Sequence, residues 1–218
     1  MNSHDANLEG AALDAWRREQ RQSLIARRVA MDPEALLQAR QAIDAHLERH
    51  LERHSPSLAQ GRVAFCWPYK NEYDARYLLA RLRGQGMQTL LPVVVGKGLP
   101  LQFRAWKPGD ELAQGALGIP YPAHGPDCVP DHVLLPVVGF DRGGYRLGYG
   151  GGFFDRTLQA LEARGFRPTV IGVGYEMAVL DTIHPQPYDR PMDFMVTERG
   201  IYERREGQLR LHGAKNSR

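Results

Sequence analysis

Val133-Leu-Leu-Pro-Val-Val138, followed by the glycine-rich stretch Gly139-Phe-Asp-Arg-Gly-Gly-Tyr-Arg-Leu-Gly-Tyr-Gly-Gly-Gly-Phe-Phe-Asp155, decides the fold. The first segment is a continuous apolar run, which is typical of a strand buried on both faces. A helix is predicted to follow the glycines, from about Gly152 to Arg164. Alternation of buried strands with helices is the mark of α/β proteins, so the pattern predicts a parallel sheet.

The same alternation continues in both directions from this stretch. Apolar runs predict strands over 63–67, 89–95, 169–174 and 194–197, an alternating segment predicts a half-exposed strand over 101–106, and helices are predicted over about 11–30, 32–54 and 73–86. We expect one α/β domain over 1–218, with a mainly parallel sheet flanked by helices on both faces in a Rossmann-like three-layer arrangement. Residues 107–130 are predicted to form an irregular loop region, and residues 1–9 and about 208–218 are predicted to be loose tails.

Two prolines give an indication of where the site lies. Pro92 and Pro136 stand inside strand-like runs, although proline is unusual in central strands. We expect them to mark strand ends, which places the following loops at the carboxyl edge of the sheet. Ligands bind at that edge in open α/β sheets.

The composition excludes several classes of protein. Of 218 residues, 43% are hydrophobic, which is enough for a sizeable core. No apolar run approaches the roughly 18–20 residues that span a bilayer, and no secretory signal is recognisable, so we expect a cytoplasmic protein without a membrane partner. Cys66 and Cys128 lack metal-site spacing and are expected to be reduced thiols. The net charge of +3 does not indicate nucleic-acid binding and leaves anionic small molecules as partners.

The glycines after the third apolar strand are suited to phosphate binding. Backbone N–H groups of Gly148, Gly150, Gly151 and Gly152 can approach phosphate oxygens, and the helix N-terminus adds partial positive charge. Arg146 can add a forked cation, and Asp155 can direct a carboxylate at Mg²⁺. The loop is neither a Walker A motif nor the dinucleotide fingerprint. The glycines alone fit a tight turn equally well, but the neighbouring Arg and Asp favour phosphate.

The stretch Arg146-Leu-Gly-Tyr-Gly-Gly-Gly-Phe-Phe-Asp155, preceded by Pro136-Val-Val-Gly-Phe-Asp141, resembles the signature of the 5-formyltetrahydrofolate cyclo-ligase (methenyltetrahydrofolate synthetase) family. The resemblance implies ATP- and Mg²⁺-dependent conversion of 5-formyltetrahydrofolate to 5,10-methenyltetrahydrofolate, with release of ADP and phosphate. The family usually has Tyr-Tyr-Asp at the end of this motif. Here Phe153 and Phe154 replace the two tyrosines, which removes two hydroxyl groups.

Other segments extend the resemblance over most of the chain. Arg17, Arg21 and Arg28 match an N-terminal basic segment that contacts ATP phosphates in the family, and Glu72 matches the glutamate that holds the folate. A carboxylate can accept both donors on one edge of a pterin ring. In all, the resemblance implies catalytic roles for Arg146 and Tyr149; ATP binding by Arg17, Arg21, Arg146, Gly148, Gly150, Gly151, Gly152 and Phe154; folate binding by Trp67, Glu72, Tyr149 and Phe153; and a Mg²⁺ site formed by Asp155 and Asp189.

Alternative interpretations remain at this point. His46, His50 and His54 could line one helix face, but we interpret them as a solvated flank rather than a metal site. Phe153 and Tyr121 depart from the family pattern, which leaves room for a paralogue that acts on or binds another substrate. A sugar-phosphate or CoA-handling protein on a related scaffold is the second rival. The expected partner is 5-formyltetrahydrofolate, with or without a polyglutamate tail, and the expected state is a monomer.

Overall fold

The computed structural model describes residues 8–54, 61–115 and 118–212. Its helices are α1 (Gly10–Val29), α2 (Pro33–His54), α3 (Arg76–Arg83) and α4 (Phe153–Ala163). Its strands are β1 (Arg62–Ala64), β2 (Gln88–Val93), β3 (Gln102–Ala105), β4 (Leu112–Gln114), β5 (Pro120–Pro122), β6 (His132–Pro136), β7 (Gly139–Asp141), β8 (Arg146–Leu147), β9 (Thr169–Val173), β10 (Val179–Leu180), β11 (Phe194–Thr197), β12 (Gly200–Arg205) and β13 (Gln208–Leu211). None of the described helices combines the length and the apolar character needed to cross a membrane.

The eight-stranded main sheet has the order β13-β12-β11-β9-β6-β1-β2-β3. The five central strands, β11, β9, β6, β1 and β2, pair in parallel, whereas β3 at one edge and β12 and β13 at the other are antiparallel. The fold is therefore a mixed α/β fold of a single domain, as the apolar runs predicted. Assignment to a Rossmann-like three-layer class stays a prediction.

Helices cover both faces of this sheet. On one face α2 and α3 pack their leucines against Val63, Phe65 and Leu134. On the other face Leu158 and Leu161 of α4 pack against alternate residues of the same strands. Because successive side chains of a strand point to opposite faces, each apolar run of the sequence supplies both cores.

The first helix brings charged side chains into the interior. The buried residues of α1 are Leu13, Arg17, Leu24 and Arg28, whose spacings of four and seven residues place them on one face. Leu24 packs with Val138, just after β6, and with Leu147 and Ile183, so it docks the helix over the loops that follow the central strands. Arg17 and Arg28, on the same face of the helix, therefore enter the same region.

Several parts of the chain contain short strands that were not predicted. The segment 107–130 contains the hairpin β4–β5, and the glycine-rich loop contains the pair β7–β8. The prediction of a loose tail from about 208 was wrong for 208–211, which form β13 against β12 with Leu209 buried. The segment 198–212 was missed because its short strands carry alternating charged residues instead of an apolar run. Residues 1–7 and 213–218 lie outside the described residues.

The strand and helix around the turn at 65–75 are also shorter than predicted. The predicted strand 63–67 ends at Ala64, and the predicted helix 73–86 begins only at Arg76. Lys70 and Asn71 both have positive φ, 49° and 58°, which neither a strand nor a right-handed helix allows. The intervening residues therefore form a turn at the carboxyl end of β1.

Candidate active site

Most of the predicted site residues lie in loops at the carboxyl ends of the central parallel strands, and the segment that carries Asp189 is joined to them by hydrogen bonds. The turn after β1 carries Glu72, the segment after β6 carries the glycine-rich loop, and the segment leading into β11 carries Asp189. Helix α1 packs across the start of these loops. This is the edge at which open α/β sheets bind ligands.

The glycine-rich loop has backbone conformations that require glycine. Gly150 and Gly152 have φ of 92° and 60°, and Gly152 directly precedes the first residue of α4. A side chain on Gly151 would clash with the Phe153 ring, whose nearest atom would lie 2.7 Å from its Cβ. The loop therefore presents bare backbone in front of a helix N-terminus, which is the arrangement that suits an anion.

Arg21 lies against this loop. Its Nε donates to the Gly148 carbonyl oxygen at 2.7 Å, and its guanidinium lies alongside Gly150. Burial lowers the pKa of Arg21, and the positive charge of Arg17 lowers it further. Two like charges held together in this way favour a bound anion.

Two ion pairs join the predicted phosphate ligands to the predicted metal ligands. Arg146 Nη2 donates to Asp155 Oδ1 at 2.7 Å, and Arg17 Nη2 donates to Asp189 Oδ2 at 2.7 Å. The backbone N–H of Arg190 donates to Asp155 Oδ1 at 3.0 Å, and the carbonyl oxygen of Arg190 accepts from Arg146 at 2.6 Å. Because Arg190 directly follows Asp189, the two carboxylates lie near each other.

Glu72 is a buried carboxylate in a network of donors. Its exposed fraction is 7%, Tyr149 Oη donates to its Oε1 at 2.9 Å, and the Tyr69 N–H donates to its Oε2 at 3.0 Å. Arg28 Nη2 lies 3.6 Å from Oε1 and donates to Tyr149 Oη at 2.8 Å. Burial raises the pKa of Glu72, and the positive charge of Arg28 opposes that rise.

Aromatic side chains are divided between the site and the core. Tyr69 meets Tyr149 edge to face, with ring centroids 5.9 Å apart. Trp67 meets Trp106 at 5.5 Å and lies under the Arg76 guanidinium, so its described contacts extend toward α3.

Of the two phenylalanines of the motif, one lies at the glycine-rich loop and the other in the core. Phe153 lies at the loop, with its ring close to Gly151 and Arg156. The side chain of Phe154 packs against the core beneath α4, so a contact with ATP would have to come from its backbone.

The histidine row is not a solvated flank along its whole length. His50 is buried and packs its ring against Phe194, with centroids 4.4 Å apart. The side chain of His54 lies outside the described residues. Over 8–54, 61–115 and 118–212, no group of three or more His, Cys, Asp and Glu side chains is placed to hold a metal ion.

Comparison with known proteins identifies the family of this chain. The model of the 5-formyltetrahydrofolate cyclo-ligase family matches residues 13–198. The chain belongs to this family. It is 28% identical over 186 residues to the cyclo-ligase of Escherichia coli, covering 81% of this chain and 97% of that protein. With the cyclo-ligase of Mycolicibacterium smegmatis it shares 35% identity over 154 residues, covering 65% of this chain and 76% of that protein.

Solved structures with this cyclo-ligase fold agree with the family match. The NMR structure of Aquifex aeolicus 5,10-methenyltetrahydrofolate synthetase superposes with a TM-score of 0.70 at 26% identity, covering 92% of this chain and 98% of that one. The Mycoplasma pneumoniae synthetase gives a TM-score of 0.65 at 21% identity, covering 84% of this chain and 98% of that one, and shares the fold.

The sequence did not predict the contacts of Arg28 or the part that the Arg190 backbone has in this candidate site. Arg28 was grouped with the phosphate-binding arginines, yet its side chain joins Glu72 and Tyr149. Arg190 contributes through its backbone, which sequence carries no signal for. The spacing of Arg28 from Arg17 predicted the shared helix face but gave no information on which loop lies opposite each residue.

Proposed function

We propose that this protein converts 5-formyltetrahydrofolate and ATP into 5,10-methenyltetrahydrofolate, ADP and phosphate. The observation that carries the proposal is the placing of two recognition sites side by side. A glycine-rich loop with Arg21 and Arg146 forms an anion site, and the buried Glu72 forms a site for paired donors. Tyr149 belongs to the loop and hydrogen-bonds to Glu72, so the two sites touch.

The chemistry requires positioning rather than a protein nucleophile. The formyl oxygen attacks the γ-phosphorus of ATP, and the bond to ADP breaks. The folate N10 then attacks the activated formyl carbon, the carbon–oxygen bond breaks, phosphate departs, and N10 loses its proton. In phosphoryl transfer, catalysis comes from orientation and from neutralising charge on the phosphate oxygens. The Arg146 guanidinium, the loop N–H groups and the α4 N-terminus are the groups that we assign to this task.

Asp155 and Asp189 are the residues that would hold Mg²⁺. They supply hard oxygen donors, are joined through Arg190, and keep part of their side chains accessible, which fits a cation that takes one or two carboxylates and completes its shell with phosphate and water. When bound, Mg²⁺ would neutralise charge on the triphosphate. Arg17 and Arg146, which are paired with these carboxylates, would bind the phosphates of the same nucleotide.

Glu72 is the residue that would hold the pterin. Its two oxygens can accept the exocyclic amino group and the neighbouring ring N–H in parallel. We assign Tyr149, Phe153 and Trp67 to the walls of the folate site. Tyr149 and Phe153 flank the glycines, and Trp67 lies on the same turn as Glu72. Phe153 and Tyr121 remain the positions at which a paralogue with another substrate would differ.

The proposed setting is a monomeric cytoplasmic enzyme whose folate carries one or more glutamates. Cys66 and Cys128 are both free thiols, which is consistent with a reducing compartment.

Substitution of the phosphate and metal ligands tests the proposal. Formation of methenyltetrahydrofolate is followed by absorbance, with and without ATP. We expect Arg146→Ala and Asp155→Ala to lower turnover by at least about 10²–10³-fold, because each removes charge stabilisation of the transition state. Circular dichroism should show that both variants stay folded.

The exposed Arg142 of the same loop provides the matched control. Arg142→Ala should retain wild-type turnover. ATP-independent product formation, or wild-type rates in either of the two active-site variants, would contradict the assignment.

A further inference from the structure

Arg28 lies on the same buried face of α1 as Arg17 but reaches a different part of the site. The two residues are eleven positions apart, which is roughly 16 Å along a helix axis at 1.5 Å per residue. Arg17 reaches Asp189, and Arg21 reaches the glycine-rich loop. Three helical turns beyond Arg17, Arg28 lies over the turn that carries Glu72.

The Arg28 guanidinium joins three separate segments. Its Nε donates to the Lys70 carbonyl oxygen at 2.9 Å, its Nη1 to the Val137 carbonyl oxygen at 3.3 Å, and its Nη2 to Tyr149 Oη at 2.8 Å. Its exposed fraction is 4%, so these contacts are shielded from water. The turn after β1, the end of β6 and the glycine-rich loop are thereby fixed to one another.

The turn that carries Glu72 needs such support. Lys70 and Asn71 both adopt the left-handed region, which is unfavourable for residues other than glycine and most of all for Lys70. Arg28 binds the first of them at its carbonyl oxygen, and Tyr175 Oη donates to the Asn71 carbonyl oxygen at 3.1 Å. Strained turns persist where surrounding contacts hold them in place. Because Glu72 directly follows Asn71, the conformation of this turn determines where the Glu72 side chain points.

We propose that Arg28 is a positioning residue of the folate site rather than a phosphate ligand. It holds the Glu72 carboxylate through the turn backbone and through the Tyr149 hydroxyl, so that both oxygens face one planar pair of donors on the pterin. The inference rests on the proposed function. It differs from what the N-terminal basic segment implies, namely contact with ATP phosphates by all three arginines.

The two roles predict opposite changes in the Michaelis constants. If Arg28 positions Glu72, Arg28→Met raises KM for 5-formyltetrahydrofolate by about 10- to 100-fold, the effect of losing a hydrogen bond to a charged group, and leaves KM for ATP within about threefold. Arg21→Met, on the same helix face, should do the reverse. Arg28→Lys keeps the charge and one donor, and should give an intermediate KM for the folate.

Tyr149→Phe supplies a second variant that does not alter the helix. It removes the hydroxyl that joins Arg28 to Glu72. Introduced into the wild-type chain, Tyr149→Phe should raise KM for the folate. Introduced into the Arg28→Met variant, it should raise that KM by a smaller factor. Non-additivity of this kind indicates that the two residues act as a unit. A rise in KM for ATP alone, or a fall in kcat and thermal stability with both Michaelis constants unchanged, overturns the inference.

Failure of the proposed function is distinguishable from failure of this inference. If the wild-type chain binds 5-formyltetrahydrofolate in a calorimetric titration but forms no methenyl product, the proposed function fails. In that case the Kd for 5-formyltetrahydrofolate, measured by calorimetry for the wild-type, Arg28→Met and Tyr149→Phe chains, decides the role of Arg28 in place of KM. A wild-type chain that does not bind the folate overturns both. An active wild type with an unaffected Arg28→Met variant overturns this inference alone.

Discussion

At the scale of single residues, the proposed folate site predicts a pH dependence that follows the ionisation of Glu72. Burial raises the pKa of this carboxyl, and the charge of Arg28 opposes the rise. The other titratable groups near it, Tyr149, Tyr175 and Cys66, have raised pKa values and stay protonated in the acid range. We expect KM for 5-formyltetrahydrofolate to rise as the pH falls, with a midpoint above the ordinary glutamate pKa, because protonation removes an acceptor from the pterin.

The same carboxyl has an effect of opposite sign on folding. Its pKa is higher in the folded chain than in the unfolded chain, so the folded chain binds the proton more tightly. Its contribution to the free energy of unfolding therefore falls as the pH rises from the ordinary glutamate pKa through the raised one.

Glu72→Gln tests the effect on folate binding. It should abolish the pH dependence of KM for 5-formyltetrahydrofolate and keep that KM high. A pH profile of KM that is identical in wild type and Glu72→Gln would remove Glu72 from the folate site.

At the scale of elements, the start of α4 depends on a glycine that no side chain can replace without strain. Gly152 has φ of 60° and caps the helix, whereas Gly148 has ordinary φ and open space around its Cα. We expect Gly152→Ala to lower the free energy of unfolding by about 1–2 kcal/mol, the penalty of the left-handed region for a residue with Cβ. Gly148→Ala should be nearly neutral. Urea denaturation of both variants makes the comparison.

A loss of stability that is equal in the two variants would show that packing, rather than φ, decides it. An unchanged Gly152→Ala would contradict the conformation given to the loop. For Gly152→Ala we also expect a rise in KM for ATP, because the loop N–H groups and the helix N-terminus would no longer point in one direction.

The same scale shows what the sequence could predict. Long elements were found from it. The apolar run at 133–138 predicted β6, and Asp32, whose Oδ1 accepts the Glu34 N–H at 2.8 Å, predicted the start of α2. Short strands were missed. The pairs β4–β5, β7–β8 and β12–β13 have two to six residues per strand, and these local antiparallel hairpins lack the continuous apolar run that marks the longer strands.

For the site, the sequence predicted residue types but not their partners. Arg146 and Asp155, nine positions apart on either side of one loop, were predicted to bind phosphate and Mg²⁺, and the structure joins them in an ion pair. Arg17 and Asp189 are 172 positions apart, and only the docking of α1 brings them together. The separate environment of Arg28 depends on the same docking, in which Leu24 packs against Val138, Leu147 and Ile183.

At the scale of the whole molecule, the site is assembled from distant parts of the chain. Helix α1, the turn after β1, the glycine-rich loop and the segment 183–190 each supply a group that contacts another of them. Ligands that bind across these segments stabilise the folded chain as a whole. Binding at about one hundred times Kd adds about 2.7 kcal/mol, which corresponds to a rise of roughly 5–10 °C in Tm for a chain of this size.

Thermal unfolding with each ligand alone therefore tests the division into two sites without relying on turnover. We expect a non-hydrolysable ATP analogue with Mg²⁺, and separately 5-formyltetrahydrofolate, each to raise the Tm of the wild-type chain. Arg146→Ala should lose the nucleotide shift and keep the folate shift, since Arg146 contacts Asp155 and not Glu72. Glu72→Gln should lose the folate shift and keep the nucleotide shift. Loss of both shifts in both variants, at unchanged ligand-free Tm, would mean that the glycine-rich loop and Glu72 hold one ligand between them.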